Sequence, residues 1–115
     1  MTTVSELRAR QCAPQTQALS FSHIHDLLTL LDGWQYQEQA IVRSFSFPDY
    51  AATLAFVQHI APMIHEQDHH PELTITYNHC TVRYWTHTLN SGRGGLSEND
   101  FICAARIDAL YREIY

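Results

Sequence analysis

Three histidines give this chain its clearest chemical signal. His69 and His70 are adjacent and precede Pro71, and His87 follows after about the length of one β-hairpin. Because imidazole has an unperturbed pKa near 6.5, a histidine can donate or accept a proton at neutral pH. One well-placed general acid or base accelerates a reaction by roughly 10² to 10⁴. The spacing therefore predicts a proton-transfer site.

The local sequence predicts how these histidines are positioned. His69 and His70 lie where a helix ends and a strand begins, and Pro71 restricts His70 to extended geometry. Adjacent imidazoles there point in different directions. A tight hairpin brings the end of the following strand, with His87, back towards His70. Repulsion between neighbouring imidazolium groups lowers the pKa of at least one, which leaves a neutral base beside an acid, as the elimination of water requires.

The remaining histidines have simpler interpretations. We expect five of them to pack, cap helices or form hydrogen bonds: His23, His25, His59, His65 and His79.

A zinc site is the main alternative to acid/base chemistry, because His65 and His69 are four residues apart and His70 and His87 could complete a ligand set. Against zinc, the helix ends at His69, and no cysteine or HExxH pattern supplies further ligands. We rank metal binding well below acid/base chemistry.

Composition limits the other possibilities. The 115 residues suit one domain, and the net charge of -5 with scattered basic residues argues against nucleic acid or a membrane as the main partner. Cys12, Cys80 and Cys103 are odd in number and widely spaced, which predicts reduced thiols rather than disulfides. With no signal peptide or membrane-spanning run, we expect a cytoplasmic protein that binds a small uncharged or weakly charged ligand.

The hydrophobic pattern predicts an α+β fold. Residues 1–20 lack sustained periodicity, and we expect a loose N-terminal arm before a single domain at 21–115. Helical periodicity from Ser22 to Leu31 is followed by alternating strands at 34–38 and 41–47. A helix then begins near Asp49, with Pro62 predicted to kink or loosen its last turn.

A second hairpin and a final helix complete the pattern. Alternation over 73–77 and 81–88 predicts the hairpin, the glycine-rich stretch 90–95 predicts a flexible loop, and Ser97 with Asp100 predicts a capping box. The order is αββαββα, which favours a four-stranded antiparallel sheet with three helices on one face.

At these residues the chain resembles the pterin-4a-carbinolamine dehydratases. The matching signature comprises His65, His69-His70-Pro71, Tyr77, His87 and Asp100. The resemblance also covers Gly33-Trp34, the Ile41-x-Arg43-x-Phe45-x-Phe47 strand, Tyr77-Asn78, Gly94-Gly95-Leu96-Ser97 and the final helix, so it extends from about residue 19 to the C-terminus.

The resemblance implies a cofactor-free hydro-lyase that forms homodimers or homotetramers. The family's substrate is 4a-hydroxytetrahydropterin, which loses its 4a hydroxyl as water and yields quinonoid dihydropterin, regenerating the cofactor of aromatic amino acid hydroxylases. The three catalytic groups carried over by motif are His69, His70 and His87. The residues implied to line the pterin are Asp68, Pro71, Trp85, Thr86 and Thr88.

The chain departs from the family pattern at three places. His65 replaces a common glutamate, Pro62 interrupts the second helix, and the loop between His87 and Gly95 is longer than in many members. Asn99 also stands where a basic residue often precedes Asp100, for which we expect a structural, helix-capping role. Because some relatives act as dimerisation cofactors of a transcription factor or as assembly helpers, a non-catalytic binding module is the second functional hypothesis.

Overall fold

Four antiparallel strands form a single sheet in the order β1-β2-β4-β3 in a computed structural model, which describes residues 2–115. The two hairpins, β1-β2 and β3-β4, are joined through the central β2-β4 pair. This confirms the predicted antiparallel α+β architecture. The strands are β1 (Gln35–Gln37), β2 (Ala40–Ser46), β3 (Glu72–Ile75) and β4 (His79–Tyr84).

Three main helices correspond to those predicted: α2 (Phe21–Leu28), α3 (Tyr50–Gln67) and α5 (Glu98–Ile114). The sequence did not predict the short helix α1 (Val4–Ala9). The segment α4 (Leu89–Gly92) lies in the predicted loop and is an irregular turn, because Asn90 and Ser91 have left-handed backbone angles. Asp49 caps α3 through Ala52 N–H, and Ser97 and Asp100 form the predicted capping box of α5. α3 continues through Pro62 to Gln67, so the predicted interruption does not end the helix.

The core lies between one face of the sheet and the helices. Along β4, Cys80, Val82 and Tyr84 are fully buried, while the residues between them are partly exposed. Phe45, opposite Cys80 on β2, begins an aromatic cluster that joins the sheet to α3 and α5. The other members of this cluster are Phe47, Phe56 and Tyr111.

β4 is shorter than the sequence pattern predicts. Alternation extends to residue 88, but the strand ends at Tyr84, which pairs with Ile41 near the start of β2. The segment 85–88 therefore follows the sheet as a loop, because no neighbouring strand remains to accept its hydrogen bonds.

Residues 2–20 are more ordered than the loose arm we expected. Thr3 caps α1, and Leu7 is completely buried where α1 packs against α5. One buried residue in a six-residue helix is too weak a pattern to be predicted from sequence. The division of the chain into an arm and a domain at residue 20 stays a prediction. Among residues 2–115, no helix has the length and apolar character needed to span a membrane.

A buried carboxylate links the first hairpin to α5. Asp108 accepts hydrogen bonds from Trp34 Nε1 at 2.9 Å and from Arg43 Nη1 at 2.8 Å. Burial raises the pKa of Asp108, and its bonds to Trp34 and Arg43 oppose that effect. Both donors would lose their main acceptor if this carboxylate were removed.

We therefore predict that Asp108→Ala lowers the free energy of unfolding by about 2 to 4 kcal/mol, because the substitution leaves a partly buried guanidinium and an indole N–H unpaired. Urea denaturation monitored by circular dichroism measures the change. Asp26→Ala, at an exposed position of α2, is the control and should stay within about 0.5 kcal/mol of wild type. Equal midpoints for the two variants would contradict the prediction.

Candidate active site

The end of α3 turns the chain so that two adjacent histidines occupy different environments. Asp68 has left-handed backbone geometry, with φ of 50°, and its N–H bonds to His65 O at the helix C-terminus. Aspartate tolerates this conformation better than most residues. The side chain of His69 is then only 14% exposed, whereas that of His70 is 66% exposed.

Tyr84 supports His69 from the sheet. The two rings stack with centroids 5.2 Å apart and planes inclined by 17°. Tyr84 Oη donates to His69 O at 3.2 Å. Because burial strongly raises the pKa of Tyr84, its hydroxyl keeps its proton and remains a donor. The final residue of β4 thus positions both the backbone and the ring of His69.

Asp100 holds the other side of the His69 ring. Its Oδ1 lies 2.5 Å from His69 Nε2, and its Oδ2 accepts from Ser97 N–H and Thr86 Oγ1, each at 2.9 Å. The expected capping role of Asp100 is confirmed, but the carboxylate also contacts His69. When the Asp100 carboxylate is ionised it only accepts hydrogen bonds, and the His69 nitrogen that faces it, Nε2, is then the protonated one. Nδ1 is therefore the His69 atom left to exchange a proton with a ligand.

One cavity of about 430 Å³ brings the three predicted catalytic histidines together. This volume is in the usual range for small-molecule sites. No arginine of residues 2–115 lines the cavity, and the chain has no lysine. The lining residues are Cys12, Ala13, Pro14, Gln15, Gln67, Asp68, His69, His70, Trp85, Thr86, His87, Thr88 and Asn99.

Four of the five residues implied to line the pterin are in this set: Asp68, Trp85, Thr86 and Thr88. Pro71 is not among the lining residues. His87 is exposed on the loop after β4, and the Trp85 ring lies 4.5 Å from the guanidinium carbon of Arg83. The structure thus gathers seven of the eight predicted site residues around one cavity. The catalytic and binding roles of all eight stay predictions.

The sequence did not indicate that the N-terminal segment lines the same cavity. Cys12, Ala13, Pro14 and Gln15 line it, and together with the preceding Gln11 they form a segment, residues 11–15, that we call the pocket wall. No periodic pattern or motif marks this segment. The only signal near its attachment was Asn99, which was recognised as a departure from the family pattern.

A metal site is not formed by the described part of the chain. Within residues 2–115, no group of three or more histidine, cysteine, aspartate or glutamate side chains could hold an ion. His65 is exposed on α3 and does not line the cavity with the other three candidate ligands.

A family model described as Pterin 4 alpha carbinolamine dehydratase matches residues 17–110. The chain belongs to this family. A protein of Bdellovibrio bacteriovorus, provisionally named pterin-4-alpha-carbinolamine dehydratase, is 51% identical over 110 residues, which cover 96% of this chain and 92% of the relative. A Nitrosospira multiformis protein with the same provisional name is 47% identical over 114 residues, covering 96% and 97% of the two chains.

Solved structures agree with the fold of this family. A Brucella melitensis protein described as a transcriptional coactivator/pterin dehydratase superposes with a TM-score of 0.73 and 34% identity, covering 82% of this chain and 98% of its own. A pterin dehydratase-like protein described as a RuBisCO assembly factor in the α-carboxysome gives a TM-score of 0.52 and 26% identity, covering 68% and 86%.

Thr86 connects the two elements that carry the buried carboxylate. Its hydroxyl lies 2.8 Å from Ser97 Oγ as well as bonding to Asp100. We predict that Thr86→Val lowers the free energy of unfolding by about 1 to 3 kcal/mol, because the isosteric methyl leaves two buried polar groups short of a partner. Thermal and urea denaturation measure the loss. Thr88→Val, two residues away and exposed, should have little effect; equal losses would refute this role of the hydroxyl.

Proposed function

We propose that this protein dehydrates 4a-hydroxytetrahydropterin to quinonoid dihydropterin by histidine acid/base catalysis, as a step in tetrahydropterin recycling. The observation that carries the proposal is the convergence of His69, His70 and His87 on one cavity, with His69 fixed by Asp100. Family membership supplies the substrate class.

The reaction needs two proton transfers and no redox change. An acid protonates the 4a hydroxyl, the C–O bond breaks, and water leaves; a base removes the proton of the neighbouring ring N–H as the C=N bond forms. His69 takes part through Nδ1, because Asp100 occupies Nε2. The exposed rings of His70 and His87 are the groups available for the second transfer.

The charge of the cavity suits an uncharged bicyclic ligand. The described residues place no cationic Arg side chain there to bind a phosphate or carboxylate. The lining instead offers neutral hydrogen-bonding groups, such as Gln15 and Thr88, together with the indole of Trp85. Pterin rings present several donors and acceptors in one plane, which such groups bind without a counter-charge.

A non-catalytic assembly role is the second candidate. It is motivated by the descriptions of the two solved relatives, one a transcriptional coactivator and the other a RuBisCO assembly factor. Such a role would use surfaces apart from the histidine cavity and would not require turnover. Formation of a homodimer or homotetramer belongs to both candidates and stays a prediction.

Stopped-flow ultraviolet absorbance of freshly generated 4a-hydroxytetrahydropterin tests the proposal directly. With EDTA present, we expect the folded protein to accelerate formation of the quinonoid dihydropterin in proportion to protein concentration. Acceleration that disappears in EDTA would favour the zinc alternative. No acceleration by folded protein would refute the dehydratase and favour the assembly role.

His69→Ala tests the central group of the site. We expect kcat to fall by about 10² or more, because the variant loses a positioned acid/base group. His25→Ala, which removes an exposed imidazole of α2, is the matched control and should keep the wild-type rate. Circular dichroism should show both variants folded. Wild-type turnover by folded His69→Ala would exclude His69 as a catalytic residue.

Asp100→Asn tests the positioning of His69. If the asparagine carbonyl keeps the bond to Ser97 N–H, its amide N–H faces His69 Nε2 and forces the imidazole proton onto Nδ1. We expect kcat to fall about 10- to 100-fold, with the reversed tautomer visible in ¹⁵N NMR shifts of His69. Asp26→Asn is the control. A less stable Asp100→Asn protein with an unchanged rate and tautomer would show that Asp100 serves only as a helix cap.

A further inference from the structure

We propose that the pocket wall binds the substrate, with Gln15 as a specificity-determining contact and Gln67 and Asn99 as positioning residues. This inference rests on the proposed function, because the ligand is the pterin of the same cavity. Nothing in the histidine chemistry requires the segment before α2. Its role follows from how tightly this irregular segment is attached beside the histidines.

Gln67 attaches the beginning of the wall. It is the last residue of α3 and is only 7% exposed. Its Oε1 accepts from Cys12 N–H at 2.8 Å, and its Nε2 donates to Gln11 Oε1 at 2.9 Å. A side-chain amide that is removed from water must find partners in the protein, and both ends of Gln67 find them in the wall.

Asn99 attaches the next residue in the same way. Its Oδ1 accepts from Ala13 N–H at 3.1 Å, and its Nδ2 donates to Ala13 O at 2.7 Å. The side chain thereby replaces the two hydrogen bonds that a neighbouring β-strand would make with this residue. Asn99 precedes Asp100, so the turn of α5 that orients His69 also positions the wall.

Further bonds fix the chain on both sides of the wall. Arg106 Nη2 donates to Arg10 O at 2.6 Å before it. After it, Asn90 N–H bonds to Thr16 O at 3.0 Å, and Leu19 N–H bonds to Leu96 O at 2.8 Å. Exposed irregular chain is normally mobile. Here the ends and the middle of the segment are held, so residues 14 and 15 have a defined position beside the cavity.

The side chains that the wall presents to the cavity include no Asp, Glu, Lys or Arg. Pro14 and Ala13 offer apolar surface, and Gln15 offers a donor and an acceptor. We therefore expect the wall to stabilise the bound pterin without taking part in proton transfer. Loss of such binding raises KM and leaves kcat nearly constant, whereas loss of a catalytic histidine lowers kcat.

Steady-state kinetics of paired variants test whether the wall contributes to binding and not to catalysis. We expect Gln15→Ala and Asn99→Ala each to raise KM about 5- to 20-fold, with kcat within about twofold of wild type. Gln17→Ala, which changes an exposed residue that does not line the cavity, is the matched control and should keep both constants. Unchanged KM in Gln15→Ala and Asn99→Ala, with an active wild type, would overturn the inference and leave the proposed function intact.

A thiol pair gives a measure of wall position that does not depend on activity. Cys12 Sγ lies 3.5 Å from Cys103 Sγ on α5. Glutathione disulfide can accept the two electrons and two protons of this pair, giving a Cys12–Cys103 disulfide and two reduced glutathione molecules. Cys80 is an internal control, because burial raises the pKa of its thiol to about 11 and the close thiol contact joins the other two cysteines, Cys12 and Cys103.

After treatment with glutathione disulfide, we expect mass spectrometry to show that the wild type loses two hydrogens and that Cys103→Ser forms no intramolecular disulfide. In Asn99→Ala, we expect the Cys12–Cys103 disulfide to form at least fivefold more slowly than in the wild type. Equal rates in wild type and Asn99→Ala would show that Asn99 does not position the wall.

Fluorescence titration with 7,8-dihydropterin completes the test. A wild type that neither binds it nor shows turnover would overturn the wall inference and the proposed function together.

Discussion

The buried carboxylate of Asp100 is the constraint on which the site depends. It is completely removed from water, so it must be hydrogen-bonded from every side that it presents. Its partners come from the start of α5, from the loop after β4 and from His69, the second residue after α3. Three elements that are distant in sequence are therefore held at one point. The imidazole orientation at that point is a by-product of satisfying a buried charge.

α5 also makes hydrogen bonds and packing contacts that connect the site to the rest of the molecule. Its first turn bonds to the pocket wall through Asn99, and its middle contacts the segment before the wall through Arg106. Asp108 then binds the first hairpin through Trp34, and Tyr111 closes the aromatic cluster. One helix thus fixes the distance between the sheet and the N-terminal segment. A shift of α5 along its axis would disturb the site and the core together.

The sequence predicted what depends on periodicity and local caps. Helical and alternating patterns identified the three main helices and the four strands, and Ser97 with Asp100 identified the start of α5. The sequence predicted a β4 that is too long, because the alternating pattern continues past Tyr84, whereas the pairing with β2 does not. The Asp100 bond to His69 was missed because a capping signature describes only nearby residues, and this contact spans 31 positions. The wall was missed because its bonds join residues 55 to 86 positions apart without any repeat.

The bonds that hold Cys12 and Ala13 to Gln67 and Asn99 are made to main-chain atoms of the held residues. Every residue except proline presents the same N–H and C=O groups, so these bonds at Cys12 and Ala13 do not depend on the side chains of those two residues. New side chains can be installed at these positions while the path of the chain is kept. Under the proposed roles, the fold would separate a replaceable ligand-facing surface from a fixed set of proton-transfer groups, and that arrangement would permit a change of ligand preference without rebuilding the reaction.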